Sequence, residues 1–264
     1  MLGAIIGDII GSRFEFNNTN RTDFDLFTEE STYTDDTICT IAIADAILNG
    51  KKYKNSLLEW CRKYPNPKGA YGGSFARWIQ SDDPQPYNSY GNGSAMRVSP
   101  VGWLFDSHQK VLSQAQLSAI PSHDHMGGIF GAQCVAALIF KLRTGEIDKG
   151  GIEQYISGYG YHVNSVNSIR MHNTFNETCH VTVPQAISCF LEANDFEETI
   201  RLAVSIGGDS DTIAAIAGSI AESYYKIPDH IAVLAIDKLP DDMFMIFTQF
   251  IKENPIYGDR LLKL

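Results

Sequence analysis

DTIAAIAGSIAESYY, residues 211–225, decides the fold class. It is rich in alanine and other small residues, carries isoleucine at helical spacing and contains no proline, so it suits a helix packed closely against a neighbour. Pro228 closes it, and residues 229–239 begin another helix. The same patterning recurs upstream. From 34 to 48, Ile38, Ile41, Ala42, Ile43, Ala46 and Ile47 fall mostly on one helical period, and Gly50 supplies a stop. From 129 to 142 the chain is apolar nearly all round, as in a helix inside an all-α core, and its most apolar window, 129–140, is about half as long as a membrane span requires. Strand signals are poor: VTV at 181–183 is short and ends at Pro184. The expectation is an all-α fold, with loops at 17–31, 64–73, 81–93 and 158–182.

The chain has 264 residues, of which 44% are hydrophobic and 20% charged, an ordinary globular mix that excludes global disorder. No linker or internal repeat divides it, so one domain over 1–264 is expected. The net charge of −10 argues against a nucleic-acid partner. It suits a soluble monomer and leaves carboxylates for hard cations. The five cysteines form no C-x-x-C pair, which disfavours structural zinc and a disulfide framework and suggests a reducing, cytoplasmic setting. The N-terminal stretch has no basic segment and is interrupted by Asp8, so it reads as mature protein rather than a signal peptide.

Three acidic clusters stand out: TDDT at 34–37, IGGDSDT at 206–212, and GDIIGSRFEF at 7–16 with Asp8 and Glu15. Capping explains either of the first two alone, because Asp and Thr satisfy the orphan N–H groups of a helix start. Together they exceed that need. A cap takes one oxygen side chain, whereas each cluster offers two carboxylates and a hydroxyl, and adjacent carboxylates repel unless a cation lies between them. Mg²⁺ and Mn²⁺ bind such oxygen sets, and Gly207 and Gly208 would let the backbone approach. Zinc is disfavoured, since His123 and His125 form H-x-H with no evident third ligand. SYGNGSAMR at 89–97 reads as a phosphate-cradling loop before a helix or as a tight turn with a cap, and GAYGGSFARW at 69–78 leaves the same choice.

These blocks, in this order, resemble the ADP-ribosylglycohydrolase family. The resemblance runs through GAIIGDIIGSRFEF, TYTDDT, YGNGSAMRVSPVGWLF, SHDHMGGIFGAQ, TVPQAI and SIGGDSDTIAAIAG. It implies a compact all-α fold with two Mg²⁺ or Mn²⁺ ions held by Thr34, Asp35, Asp36, Asp209, Asp211 and Thr212. Glu15 and Asp36 would be catalytic, Glu15 as metal contact or acid/base. Ser89, Tyr90, Gly91, Asn92 and Gly93 would hold diphosphate and ribose. His123, His125, Gly72, Gly73 and Ser74 would also face substrate, with Phe75 or Phe175 stacking on adenine. The implied reaction removes ADP-ribose from an arginine- or serine-linked protein side chain, or from a small adduct, by cleaving the C1″ glycosidic bond. Two departures bear on the acceptor side: His123-Asp124-His125-Met126-Gly127-Gly128 replaces H-N-H-P-E-G, and Cys179-His180-Val181-Thr182-Val183-Pro184 replaces C-Q-G-S-V-P. A different metal-dependent nucleotide or phosphoester hydrolase, and a non-catalytic relative, are the alternatives.

Overall fold

In the computed structural model, which describes residues 1–261, the chain is helical with no strand longer than an isolated bridge. The last three residues of the expected domain lie outside the described ones.

The helices read from the sequence form with shifted ends. The 211–225 run is the helix Ser210–Tyr224, and the 34–48 run is Asp35–Leu48 with Thr34 as its cap. The 229–239 segment contributes Asp229–Ile236. The apolar run at 129–142 is the middle of a longer helix, Met126–Thr144, closed by Gly145 in the left-handed conformation. At 19 residues it is long and apolar enough to cross a membrane by length alone, but two thirds of it is buried inside the protein. Core helices pass the same length test, because an element surrounded by other helices has no wet face to keep polar.

The expected loop at 158–182 is partly helical. It contains Val166–His172, and VTV lies inside the helix Cys179–Glu192 with Pro184 in its interior. Pro184 does not end the helix. It removes one N–H, so the His180 carbonyl four residues earlier lacks its helical donor.

The most intimate packing joins the N-terminal helix Leu2–Gly11 to Ser210–Tyr224. Gly3, Gly7 and Gly11 recur every fourth residue and so share one face. A Cβ would lie 2.2 Å from the Gly218 carbonyl oxygen at position 3, 2.1 Å from that of Ala214 at position 7, and 2.4 Å from the Asp211 Cα at position 11. The backbones therefore touch, and the side chains that flank the stripe (Leu2, Ile5, Ile6, Ile9 and Ile10) are fully buried in the core.

Gly7→Ala cannot be accommodated without separating these helices. It is expected to cost about 2 kcal/mol and to lower the melting temperature by roughly 4–8 °C. Gly158→Ala, at a helix end with φ −63°, should stay within about 0.5 kcal/mol of the parent. Melting curves of the two variants check this, and equal stability would show that the close approach is dispensable.

Candidate functional site: an acidic cleft

Asp8 organises the first acidic helix start. It is fully buried in Leu2–Gly11 and accepts hydrogen bonds from Thr34 N (2.9 Å), Thr34 Oγ1 (2.8 Å), Thr37 N (3.1 Å) and the Thr37 hydroxyl. Thr34 in turn accepts from Asp36 N at 3.2 Å, so its hydroxyl is engaged as a cap. This fixes the first turn of Asp35–Leu48, from which Asp35 and Asp36 project.

The second helix start is held by side-chain amides. Gly207 and Gly208 have φ of +69° and +76°, a turn that other residues adopt at a cost. Asn18 clamps Gly208, accepting from its N–H at 2.9 Å and donating to its carbonyl at 3.0 Å. Asn173 donates to the Ile206 and Gly207 carbonyls at 3.1 and 3.0 Å. Asp209, Asp211 and Thr212 follow this turn.

The starts converge. Carboxylate oxygens of Glu15, Asp209 and Asp211 lie within 4.8 Å of one another. Thr212 Oγ1 donates to Asp36 Oδ1 at 3.2 Å, and Asn92 Nδ2 donates to Asp209 Oδ2 at 2.7 Å. Two buried oxygens, Asp36 Oδ2 and Asp211 Oδ1, have no hydrogen-bond partner. An unsatisfied buried acceptor is costly, and in a cluster of like charge it is what a hard cation relieves. The residues therefore fit a divalent metal ion.

The electrostatics agree. Burial, then the neighbouring aspartates, push Asp36 and Asp211 well above the usual carboxylate range, and burial raises Asp35. Burial lifts Asp209 to about 6. Glu15 is pushed up to about 7 by burial and by the charges of Asp209, Asp8 and Glu177, opposed by Lys68.

These residues form one wall of a cleft of about 240 Å³. Gly72, Gly73 and Ser74 line it from one loop, and Ser89, Gly91, Asn92 and Gly93 from another, with Phe75 and His123. His123 is buried and fixed. Arg97 Nη2 donates to Ser122 Oγ at 3.0 Å, and Ser122 lies 2.8 Å from His123 Nδ1. Ser122 Oγ accepts from Arg97 and is hydrogen-bonded to His123 Nδ1, and the Nε2 edge of the ring faces the glycine loop at Gly91 and Gly93. Burial and the Arg97 charge hold this imidazole neutral, well below its ordinary pKa.

Four expected residues lie outside the cleft lining. Thr34 sits behind it as described. His125 caps Met126–Thr144, its Nδ1 accepting from Gly127 N at 2.9 Å, and the exposed Tyr90 ring packs 5.3 Å from it. Phe175 stacks on Phe16 at 6.1 Å instead of lining the cleft. Phase of the sequence pattern could not find Tyr87, Arg97 and Glu177, which do line it. Tyr87 and Glu177 come from loops without periodicity, and Arg97 sits beside the glycine loop in a segment read for its glycines.

Since each carboxyl is raised on folding, its contribution to stability is complete below about pH 4, the unfolded value, and is lost as pH climbs through about 6 and about 7. Without divalent cations the melting temperature should fall between about pH 5 and pH 8, and Mg²⁺ or Mn²⁺ should restore it mainly at the alkaline end. Thermal melts in chelator and in metal check this, and a cation effect equal at both pH values would count against the cluster as its origin.

The ADP-ribosylglycohydrolase family model matches residues 1–249. Human ADP-ribosylhydrolase ARH3 is 25% identical over 304 aligned positions, covering 85% of this chain and 84% of the relative. ADP-ribosylarginine hydrolase Tri1 of Pseudomonas putida is 24% identical over 300, covering 92% and 76%. A solved structure titled ADP-ribosylglycohydrolase-related protein complex superposes with a TM-score of 0.72 at 22% identity, covering 96% of this chain and 97% of that one, and shares the all-α fold. With a family model spanning nearly its whole length, and both acidic helix starts, Glu15, the glycine loop and His123 gathered around one cleft, the chain belongs to the ADP-ribosylglycohydrolase family.

Proposed function

We propose that the protein is a metal-dependent hydrolase that releases ADP-ribose from an arginine- or serine-linked protein side chain or a small adduct by cleaving the C1″ glycosidic bond. The observation that carries this reading is the pair of buried, unpartnered oxygens of Asp36 and Asp211 beside Glu15 and Asp209, in a cleft that the glycine loop at 91–93 also lines. The relatives named above act on ADP-ribosyl linkages by their titles. The five free cysteines suit a reducing compartment, and a cytoplasmic monomer acting as one domain is part of the same proposal.

Asp35, Asp36, Asp209, Asp211 and Thr212 would hold two Mg²⁺ or Mn²⁺ ions. When bound, these would supply positive charge that orients the distal ribose hydroxyls and lowers the pKa of a nearby water. The chain's own groups do the rest. The buried guanidinium of Arg97 and the Nε2–H of neutral His123 present donors to the diphosphate. The backbone of the glycine loop adds the N–H of Gly93, that of Gly91 being donated to Ser89 Oγ at 3.1 Å. Glu15, at the rim of the cluster, takes a proton from the water that attacks C1″, and the departing side-chain nitrogen or oxygen takes up a proton as its bond to C1″ breaks, so that the sum is addition of one water. Cleavage passes through an oxocarbenium-like centre, which the surrounding carboxylates favour. Phe75 lines the cleft, so it is the better placed of the two phenylalanines to meet adenine.

The first test is release of ADP-ribose from arginine-linked and serine-linked substrates side by side, with Mg²⁺, with Mn²⁺ and with chelator. Chelator-sensitive release from either one is expected, and none from both would overturn the reading. Asp36→Ala and Asp211→Ala should lose activity by roughly a thousandfold or more while keeping the helical circular-dichroism spectrum. Glu15→Gln should still show stabilisation by metal but lose about a hundredfold or more in kcat. His123→Ala should raise KM about tenfold with a smaller change in kcat, since it removes a donor that holds substrate and transition state alike.

A further inference from the structure

Beside the acidic cleft lies a second depression of about 540 Å³, more than twice the cleft's 240 Å³. A single strip of chain, residues 173–178, separates them. Glu177 lines the cleft, while Thr174 and Asn176 line the groove. The strip is pinned on both sides: Asn173 holds the Gly207 carbonyl, Asn92 N donates to the Glu177 carbonyl at 2.7 Å, and Cys179 N donates to that of Tyr90 at 3.1 Å. It is a fixed wall between two neighbouring sites.

Its crest is aromatic. Phe175 is 46% exposed and stacks on Phe16, which is 74% exposed and follows Glu15 in the chain. Two large apolar rings in contact and in water, on a protein of net charge −10, are the kind of anchor that protein interfaces use. The groove behind has a different chemistry. No Asp, Glu, Lys or Arg lines it; amides, hydroxyls and the imidazoles of His162, His172 and His180 do. Pro184 is also part of its lining, beside the His180 carbonyl that lacks its helical donor. Mixed donors and acceptors without fixed charge suit a peptide main chain, which needs both and carries no charge. They do not suit a diphosphate or a nucleic-acid backbone, which call for cations.

We propose that the Phe16–Phe175 crest and the groove behind it dock the polypeptide that carries the ADP-ribosyl group, its modified side chain passing over residues 173–178 into the acidic cleft. This rests on the activity proposed above and adds to it the surface that would hold a polypeptide substrate, by its main chain next to the modified residue. It also gives the His180 departure a place, since that residue lines the docking groove and not the cleft.

The test compares two substrates of the same linkage, an ADP-ribosylated protein and ADP-ribose joined to the single free amino acid. Phe175→Ser and His180→Glu are made singly and together. For the double variant, KM on the protein substrate should rise about tenfold or more, while kcat/KM on the amino-acid adduct stays within about twofold of wild type. The adduct thereby serves as the check on folding. Equal losses on both substrates, or unchanged KM on the protein, would overturn the docking surface. Wild-type protein inactive on both would instead sink the activity reading, and the inference with it.

Discussion

The contact on which the rest depends is the one between the backbones of Leu2–Gly11 and Ser210–Tyr224, made possible by Gly3, Gly7 and Gly11. It does more than fill the core. The first helix carries Asp8 and leads directly to Glu15, and the second begins with Asp211. Position 11 lies against Asp211 itself, where a Cβ would sit 2.4 Å from its Cα. The spacing of the carboxylates is therefore set by how closely two helices pack, not by a flexible loop. A site that must hold a cation within a few tenths of an ångström gains from being built on rigid elements.

That arrangement costs stability. Asp35, Asp36, Asp209, Asp211 and Glu15 are brought together with little compensation: Asn92 serves Asp209, Thr212 serves Asp36, and two buried oxygens have nothing. Asp8 differs, because four donors from Thr34 and Thr37 surround it. The contrast separates two kinds of buried carboxylate in one protein. One is satisfied and structural, tying two helices together. The others are left deficient in donors, and fixed deficiency of this sort is a common mark of a functional site.

The sequence was most legible where chemistry and periodicity coincide. Both acidic helix starts, the glycine loop and the all-α class could be read because caps, small residues and apolar spacing have local causes. What could not be read depends on distance through space. Thr34 stands beside Asp35 and Asp36 in sequence, but that its hydroxyl donates to Asp8 on another helix could not be read from it. His125 resembles His123 by spacing, yet it ends as a cap while His123 is buried. VTV followed by Pro184 reads as a broken strand, and tertiary packing makes it helix instead. The fourfold glycine repeat was visible in the first eleven residues, but its meaning required knowing which helix would meet it.

The remaining question is how so acidic a protein would receive the anionic ligand of the proposed function, and the answer lies in where its charges are placed. At physiological salt, charges beyond about 8 Å are largely screened, so the net −10 matters less than the cleft wall. There Arg97 is buried, has no carboxylate within ion-pair distance among the described residues, and spends its Nη2 on the Ser118 carbonyl and the Ser122 hydroxyl. Its charge is thus left available to the cleft. The same guanidinium donates to Ser122, the hydrogen-bond partner of His123 Nδ1, and, together with burial, keeps that imidazole neutral. A donor that does not titrate near neutral pH keeps its hydrogen bond while the carboxylates opposite change charge. On the proposed function, the anion-binding side and the cation-binding side of the cleft would thereby be decoupled in pH, so that acid would weaken the hold on metal without loosening the hold on phosphate.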